Sequence, residues 1–271
     1  MTPRLIATDL DGTLLRSDGS VSQRSVDALR AVADAGLETV LVTARPPRWL
    51  DELAHVVGTR GVAICGNGAF RYDVAERRIF GVRSIPRDVV TAIVHDLREQ
   101  VPGTGFAAER HNGLAAESMF AAIHDHPEDL VTTPAIELLT DASVGKLSGA
   151  QPAPDRRRVH PGRHRGRGGP GDRGLLRGRG LAEISAVGVT KAAALAGWCA
   201  ELGIDATDVW AFGDMPNDLP MLTRAGRSFA VANAHPEVLA VATDRAPAND
   251  EDGVAVTLER LLARSTAAEP Q

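Results

Sequence analysis

The chain has 271 residues, of which 44% are apolar and 24% are charged, with a formal net charge of −5. This length suffices for one large domain or two smaller ones, and two cysteines are too few for a disulfide framework. No apolar run approaches the roughly 20 residues that a membrane helix needs, and the first residues lack a signal-peptide pattern, so we expect a cytoplasmic protein without a membrane partner.

The first predicted strand ends in an acidic turn. Residues 4–10 (RLIATDL) form a short apolar run that leads into the turn Asp9-Leu10-Asp11-Gly12-Thr13. A helix is predicted next, with Ser22 as its N-cap and Gly36 as its C-terminal stop. Any chemistry at this turn would therefore lie at the C-terminal end of a strand.

Three later apolar runs repeat this pattern of a strand that stops at a polar turn. They are residues 39–42, which run into Thr43, residues 62–69 and residues 208–214. Helical patterns separate them from one another. Continuously apolar strands that alternate with helices predict an α/β fold with a parallel sheet covered on both faces. Ligands of such sheets bind beyond the C-terminal ends of the strands.

The middle of the chain lacks these polar turns and is interpreted as an inserted second domain over residues 82–184. Residues 86–100 predict one amphipathic helix, and two later runs, VTTPAIELL and SVGKLSG, predict strand fragments. The core domain is thereby divided into residues 1–81 and 185–271.

A basic block interrupts the inserted domain. Residues 149–180 contain nine arginines against Asp155 and Asp172, a local net charge of +7, so the rest of the chain carries −12. The block has almost no apolar periodicity and cannot bury enough surface to offset the entropy of ordering it. We predict a disordered loop or a compensated pair of frameshifts, which translation of the coding DNA in its other two frames tests. A nucleic-acid partner is disfavoured because the block has no aromatic residue for base stacking.

Four separated elements contain the residues best suited to chemistry. They are the turn from Asp9 to Thr13, the string Thr43-Ala44-Arg45, Lys191, and the string GDMPND that ends at Asp218. The acidic turns and Thr43 alone also fit capped turns without a function. Lys191 is one of only two lysines. It follows Thr190, the predicted N-cap of a helix that continues to Gly203, and in this first turn the macrodipole disfavours a cation by roughly 0.3–1 kcal/mol. A solvated surface lysine would tolerate this position, but in a chain that otherwise uses arginine a compact cation here favours a neighbouring anion.

Together, in order and spacing, the four elements resemble the motifs of the haloacid dehalogenase superfamily of phosphotransferases, and most closely its Cof-like (type IIB) sugar-phosphate phosphatases. The resemblance is carried by DLDGTLL (9–15), VTAR (42–45), CGNGA (65–69), ISAVGVTKAAAL (184–195), GDMPNDLPML (213–222), VANA (231–234) and EDGVA (251–255). It implies a Rossmann-like parallel-sheet core with an inserted α/β cap of the C2B type, of which only the first half is recognisably similar here.

The resemblance also implies a role for each matching residue. Asp9 would be the nucleophile that forms an aspartyl-phosphate, and Asp11 would act as general acid and base. Mg²⁺ would be bound by the Asp9 carboxylate, the Asp11 backbone carbonyl and Asp214, with Asp218 supporting or replacing one of them. The residues expected at the phosphate or substrate are Thr43, Ala44, Arg45, Lys191 and Asn217, of which Thr43 and Lys191 also count as catalytic. Arg45 could instead orient Asp218 or form a structural ion pair.

We therefore predict a Mg²⁺-dependent phosphatase that acts on small phosphorylated metabolites, with sugar phosphates as the first candidates. The alternatives are a phosphomutase of the same superfamily and a non-catalytic protein, which would bind a phosphate ligand or have a regulatory role. The intact set of Asp9, Asp11, Lys191 and Asp214 argues against lost catalysis. No residue pattern specifies an oligomeric state or one substrate, because side chains of the cap would select the substrate.

Overall fold

The computed structural model describes residues 2–57, 61–124, 126–139, 143–151, 173–177 and 181–266. Its strands are β1 Leu5–Thr8, β2 Glu38–Val42, β3 Val62–Cys65, β4 Phe70–Asp73, β5 Arg78–Val82, β6 Gly105–Arg110, β7 Gly113–Glu117, β8 Val131–Thr133, β9 Val144–Ala150, β10 Arg173–Arg177, β11 Leu181–Ser185, β12 Val209–Gly213, β13 Arg227–Val231 and β14 Asp244–Ala246. Its α-helices are α1 Gln23–Asp34, α2 Ala54–Val57, α3 Arg87–Gln100, α4 Ser118–Ala121, α5 Lys191–Leu202, α6 Leu219–Arg224, α7 Pro236–Val241 and α8 Gly253–Thr266.

The chain divides into two compact units. The first unit comprises Met1–Gly81 and Val189–Gln271, and the second comprises Val82–Gly188. Across the described part of the chain, we find no helix whose length and hydropathy would let it cross a membrane.

The first unit is built on an eight-stranded sheet in the order β14-β13-β12-β1-β2-β3-β4-β5. The pairings from β14 through β3 are parallel, whereas β4 runs antiparallel to β3. Every residue of β1 and β12 is buried. The predicted parallel α/β sheet is thus present, and the antiparallel pairing of β4 is an addition to it. The run 62–69 is a strand only to Cys65, after which Gly66–Gly68 form a 3₁₀ turn.

Two helices of the first unit begin at the residues that the sequence indicated. The Ser22 hydroxyl accepts a hydrogen bond from the Ser25 N–H at the start of α1, and the Thr190 hydroxyl accepts one from the Ala193 N–H at the start of α5. These caps satisfy N–H groups that have no partner within the helix. Gly203 ends α5 in the left-handed conformation, with a φ of 61°.

The second unit contains a six-stranded sheet in the order β10-β11-β9-β6-β7-β8. Helix α3 packs on one face, where Val90 and Val94 join a core cluster that contains Phe106 and Leu147. The pairings are antiparallel except for that of β7 with β8. The predicted helix over 86–100 and the strand over SVGKLSG are both present, as α3 and β9.

One predicted strand of the second unit is shorter than expected. The run VTTPAIELL is a strand only at Val131–Thr133, and Ile136–Leu138 form a 3₁₀ turn. Pro134 lies between them, and proline has no N–H to continue a strand ladder.

The basic block is described only at its ends. Residues 149 and 150 complete β9, and Arg173–Arg177 form β10, which pairs antiparallel with β11. The sequence had indicated no regular structure for these residues. The rest of the block lies outside the described residues, so disorder there and the frameshift hypothesis both stay predictions.

Candidate active site

The acidic turns of the first unit meet at one edge of its sheet. Strands β1 and β12 are parallel neighbours with Thr8 opposite Phe212, so Asp9 and Asp214 follow adjacent strand ends. The Asp9 N–H donates a hydrogen bond of 3.1 Å to the Phe212 carbonyl, which extends the ladder to the nucleophile candidate. The predicted position of the chemistry, beyond the C-terminal ends of parallel strands, is therefore the position of these two carboxylates.

Asp9, Asp214 and Asp218 form a buried carboxylate cluster. One oxygen from each lies within 4.8 Å of the others, and the three residues are 4%, 7% and 0% exposed. The Asp218 carboxylate accepts hydrogen bonds from the Asp214 N–H at 3.2 Å and the Met215 N–H at 3.1 Å. Gly213 permits this arrangement, because a Cβ at that position would lie 2.7 Å from the Cβ of Asp218.

Lys191 supplies a cation to this cluster. Its Nζ lies 2.5 Å from Asp9 Oδ1 and 2.7 Å from Asp218 Oδ1, and the residue is 2% exposed. Burial alone would lower the pKa of Lys191, but the attraction of Asp9 and Asp218 raises it above its ordinary value. The attraction between Lys191 and two carboxylates in contact with it is stronger than the unfavourable interaction of its charge with the macrodipole of α5.

The negative charge of the cluster exceeds the positive charge that Lys191 provides. Burial raises the pKa of Asp9 to about 8 against the opposing effect of Lys191, with Asp218 and Asp214 raising it further. Burial, followed by repulsion from Asp218, also raises the pKa of Asp214. Three buried carboxylates and one ammonium leave a charge deficit that an oxygen-preferring divalent cation would fill.

The turn after β1 wraps around Asp214. Gly12 adopts a φ of +77°, and a Cβ there would lie 2.4 Å from Asp214 Oδ2, so glycine is required by both conformation and space. The Thr13 hydroxyl donates a hydrogen bond of 3.1 Å to Asp214 Oδ1, and the Asn233 side chain donates one of 2.8 Å to the Gly12 carbonyl. These contacts hold the turn that contains Asp11 against the end of β12.

Arg45 contacts Asp11. Its Nη2 lies 2.6 Å from Asp11 Oδ1 and its Nε lies 2.9 Å from Oδ2, which is a bidentate pair. Of the alternatives open from the sequence, the ion pair is thus present, and its partner is Asp11 instead of Asp218. The backbone N–H of Arg45 also donates to the hydroxyl of the fully buried Thr43 at 3.0 Å.

The turn Gly66–Gly68 joins three parts of the site. Its first two N–H groups donate to the carbonyls of Arg45 and Thr43, each at 2.9 Å. The Asn67 side chain accepts a hydrogen bond of 3.3 Å from the Asn217 amide. Gly68 packs so closely on the residue before Lys191 that a Cβ would lie 2.5 Å from the Thr190 carbonyl oxygen.

The predicted site residues therefore fall into connected groups. Asp9, Asp214, Asp218 and Lys191 are in direct contact or adjacent, Asp11 is paired with Arg45, and Thr43 and Asn217 are joined to the rest through the turn at Asn67. The sequence assigned no role to Thr13, Asn67 or Asn233. Each lies within a string that carried the family resemblance. The resemblance could therefore have indicated these three residues, but it did not show which side chains or backbone groups they contact.

An open cleft of about 660 Å³ begins at Asp11. Its lining includes Gly12, Arg45, Asn233 and Asp250, and is largely polar. A small molecule therefore has access to the Asp11 side of the site.

Known proteins resemble the chain over nearly its full length. The sequence matches the family described as haloacid dehalogenase-like hydrolase over residues 6–258. The 5-amino-6-(5-phospho-D-ribitylamino)uracil phosphatase YcsE of Bacillus subtilis is 27% identical, covering 93% of this chain and 93% of its own. The pyridoxal phosphate phosphatase YbhA of Escherichia coli is also 27% identical, covering 94% of this chain and 97% of its own.

A solved structure supports the same assignment at the level of the fold. A phosphatase of the haloalkanoate enzyme superfamily from Bacteroides thetaiotaomicron is 24% identical, covers 96% of this chain and 95% of its own, and superposes with a TM-score of 0.77. This likeness confirms the predicted Rossmann-like core with a cap. Because the family match spans most of the sequence, the chain belongs to the haloacid dehalogenase-like hydrolase family and is a phosphoric monoester hydrolase.

Proposed function

We propose that this chain is a Mg²⁺-dependent phosphatase that hydrolyses small phosphorylated metabolites through an aspartyl-phosphate on Asp9. The observation that carries the proposal is the buried contact of Lys191 with Asp9 and Asp218 beside Asp214, at the ends of two adjacent parallel strands. Transfer of a dianionic phosphoryl group requires a nucleophile and positive charge in one place. Asp9 offers the nucleophile, Lys191 offers one positive charge, and the additional carboxylates can bind a divalent cation that supplies more.

The carboxylate cluster fits a hard divalent cation. Its donors are oxygens that lie within 4.8 Å of one another, and they are short of positive charge. Asp9, Asp214 and the Asp11 backbone carbonyl would hold Mg²⁺, with Asp218 in support through the two backbone N–H groups and the Lys191 ammonium that it binds. When bound, Mg²⁺ supplies the charge that lets anionic phosphate approach these carboxylates.

In the first step, Asp9 attacks phosphorus and the bond from phosphorus to the leaving oxygen breaks. Asp11 gives its proton to that oxygen, so the leaving group departs as an alcohol. Both Asp11 oxygens are engaged by Arg45 in this structure, so Asp11 must exchange that partner when it takes up and delivers the proton. Lys191 and Thr43, with the Ala44 amide and Asn217, would hold the phosphoryl oxygens.

In the second step, water attacks the phosphorus of the aspartyl-phosphate. Asp11 removes a proton from the water as the bond between phosphorus and Asp9 breaks. Inorganic phosphate leaves, and Asp9 returns as a carboxylate beside Lys191. Asp9 thus carries the phosphoryl group between the two steps, and Asp11 serves as the acid in the first step and as the base in the second.

The relatives support a small phosphate monoester as substrate. Two of them are named for 5-amino-6-(5-phospho-D-ribitylamino)uracil and for pyridoxal phosphate. Sugar phosphates stay our predicted class of substrate. A cytoplasmic location and the lack of a nucleic-acid partner also stay predictions from the sequence. A phosphomutase would share the first step and differ in the group that attacks the aspartyl-phosphate, so transfer to a second sugar hydroxyl distinguishes it.

Hydrolysis of 4-nitrophenyl phosphate tests the proposal directly. We expect turnover that requires Mg²⁺, stops with a chelator and is abolished in Asp9→Asn, because an amide is a poor nucleophile. Full activity of Asp9→Asn, or equal activity with and without Mg²⁺, contradicts the mechanism. Binding of phosphate without any turnover would favour the non-catalytic alternative.

A further inference from the structure

The segment after Arg45 presents an exposed tryptophan beside the site. A 3₁₀ turn, Pro47–Leu53, follows Arg45, and its Leu50 and Leu53 are buried while Trp49 is 53% exposed. The buried leucines anchor the turn, so the outward position of Trp49 is fixed by packing. Tryptophan is a large and rigid aromatic side chain, and an exposed indole beside a site offers a ligand contact area at a low cost in side-chain entropy.

Two guanidinium groups hold the Trp49 ring. Arg45 Cζ lies 5.9 Å and Arg48 Cζ lies 5.6 Å from the ring centroid, both within cation–π range. The same Arg45 forms the bidentate pair with Asp11. One guanidinium therefore separates the exposed indole from the carboxylate that protonates the leaving group in the proposed mechanism.

We propose that Trp49 is a specificity-determining residue that stacks on a planar aromatic ring in the leaving group of the phosphate ester. The inference rests on the proposed function, since it assigns the leaving group to the side of Asp11. Indole stacks on planar heterocycles through its π face, and the 53% exposure of Trp49 leaves part of its surface open beside the two guanidinium groups. Because those groups order the ring, little rotational freedom is lost on binding.

A purely structural role for Trp49 makes a different prediction. If the ring served only to hold Arg45 against Asp11, its loss would slow pyridoxal phosphate and ribose 5-phosphate equally, since both are esters of primary alcohols, and would slow 1-naphthyl phosphate no more than these, since naphthol is the better leaving group. If it stacks on the leaving group, its loss slows only substrates that contain an aromatic ring. The ratio of the two effects separates the roles, and Trp49→Phe keeps a smaller aromatic surface for comparison.

The experiment measures kcat/KM of wild type, Trp49→Ala and Trp49→Phe with three substrates. Pyridoxal phosphate and 1-naphthyl phosphate contain planar rings, and ribose 5-phosphate contains none. We expect Trp49→Ala to lower kcat/KM about tenfold or more for the two aromatic esters, as for stacked bases, and less than about twofold for ribose 5-phosphate. Trp49→Phe should recover most of the loss, chiefly in KM.

Controls keep this inference separable from the proposed function. Val241→Ala, at an exposed position of α7, should leave all three values unchanged, and thermal unfolding should show that each variant is folded. An equal loss for all three substrates, or no loss with the aromatic esters, overturns the role of Trp49 and leaves the phosphatase intact. A wild type that hydrolyses none of the three, nor 4-nitrophenyl phosphate, overturns the proposed function and this inference with it.

Discussion

Both units bury carboxylates beside a cation, and they do so in different surroundings. In the first unit, Asp9, Asp214 and Asp218 are at most 7% exposed and share one ammonium, that of Lys191. In the second unit, Glu117 is 8% exposed but its partner Arg98 has a side chain that is 37% exposed. Water therefore screens the second arrangement and is largely excluded from the first.

The backbone partners sharpen this contrast. Glu117 accepts hydrogen bonds from the N–H groups of Phe106 and Ile136, at 3.1 and 3.0 Å, besides the 2.5 Å contact with Arg98. It thereby joins β6, α3 and the turn at Ile136 within one unit. Asp9 and Asp214 are instead left with raised pKa values and an incomplete set of counter-charges. A buried carboxylate that is fully partnered serves structure, and a cluster short of positive charge indicates a ligand.

Replacing Lys191 should have the largest effect. Lys191→Met leaves Asp9 and Asp218 without their shared cation, so we expect kcat for 4-nitrophenyl phosphate to fall by about 10²–10³-fold. Breaking a buried ion pair on one side should also lower the free energy of unfolding by about 3–5 kcal/mol in the presence of a chelator. Steady-state kinetics and urea unfolding measure the two effects.

Arg24→Met provides the matched control for Lys191. Arg24 also bridges to a carboxylate of the first unit, Glu259, but both side chains are more than 40% exposed. We expect an unchanged kcat and no measurable change in the free energy of unfolding, because water screens an exposed ion pair. If Lys191→Met behaved like Arg24→Met, the buried cluster would have no special role.

Removing Glu117 tests the other side of the comparison. Glu117→Ala leaves the buried N–H groups of Phe106 and Ile136 without their acceptor and Arg98 with Glu137 as its remaining carboxylate partner, which should cost about 2–3 kcal/mol of unfolding free energy. Glu99→Ala, at an exposed position of α3, should stay within about 0.5 kcal/mol of wild type in the same urea titration. Equal values for the two variants would show that Glu117 does not secure this unit.

Gly68 and Gly103 separate conformational strain from close packing. Both have a positive φ, 109° and 85°, but only Gly68 would place a Cβ against backbone, at 2.5 Å from the Thr190 oxygen. We expect Gly103→Ala to cost about 1 kcal/mol and Gly68→Ala about 2 kcal/mol or more. Only Gly68→Ala should also lower kcat, since it displaces the start of α5 and with it Lys191. Unchanged activity would show that the turn does not position Lys191.

The smallest expected effect concerns Asp244 at the sheet edge. The hydrogen bond from Arg227 lowers the pKa of Asp244 below its ordinary 3.8. A carboxyl group whose pKa is lowered in the folded protein stabilises it at pH values above the ordinary pKa. This contribution is lost as the pH falls through the folded-state pKa. Asp244→Asn should therefore cost roughly 0.2–1 kcal/mol near neutral pH. The difference from wild type should shrink below pH 4, which unfolding at several pH values checks; a constant difference contradicts the assignment.

Sequence reasoning predicted those elements whose signals are local. Ser22 and Thr190 cap helices that begin one residue later, and Asp9 and Asp214 follow continuous apolar strands. Strands β6 and β7 escaped prediction because FAAER and GLAAE are rich in alanine, which has little strand preference. Their place in the sheet depends on pairing with distant residues.

The residues of the site could be predicted from the motifs and their order along the chain. The hydrogen bonds and ion pairs that join these residues could not. That Arg45 would pair with Asp11, 34 positions away, could not be distinguished from a contact with Asp218, because an arginine side chain reaches several carboxylates near a strand end. The contact of Asn67 with Asn217 depends on a left-handed φ of 56° at Asn67 and joins residues that are 150 positions apart. Such contacts follow from the completed sheet and leave no periodic trace in the sequence.

The place of β1 in its sheet has a consequence for synthesis of the protein. One neighbour, β2, leaves the ribosome soon after it, whereas the other, β12, begins at Val209, after the whole of the second unit. Asp9 is made before the whole of the second unit, and the Lys191 ammonium and the carboxylates of Asp214 and Asp218 are made after it. A nascent chain that ends before Lys191 contains the proposed nucleophile without the proposed phosphate and metal ligands, so we expect activity only after synthesis has passed Asp218.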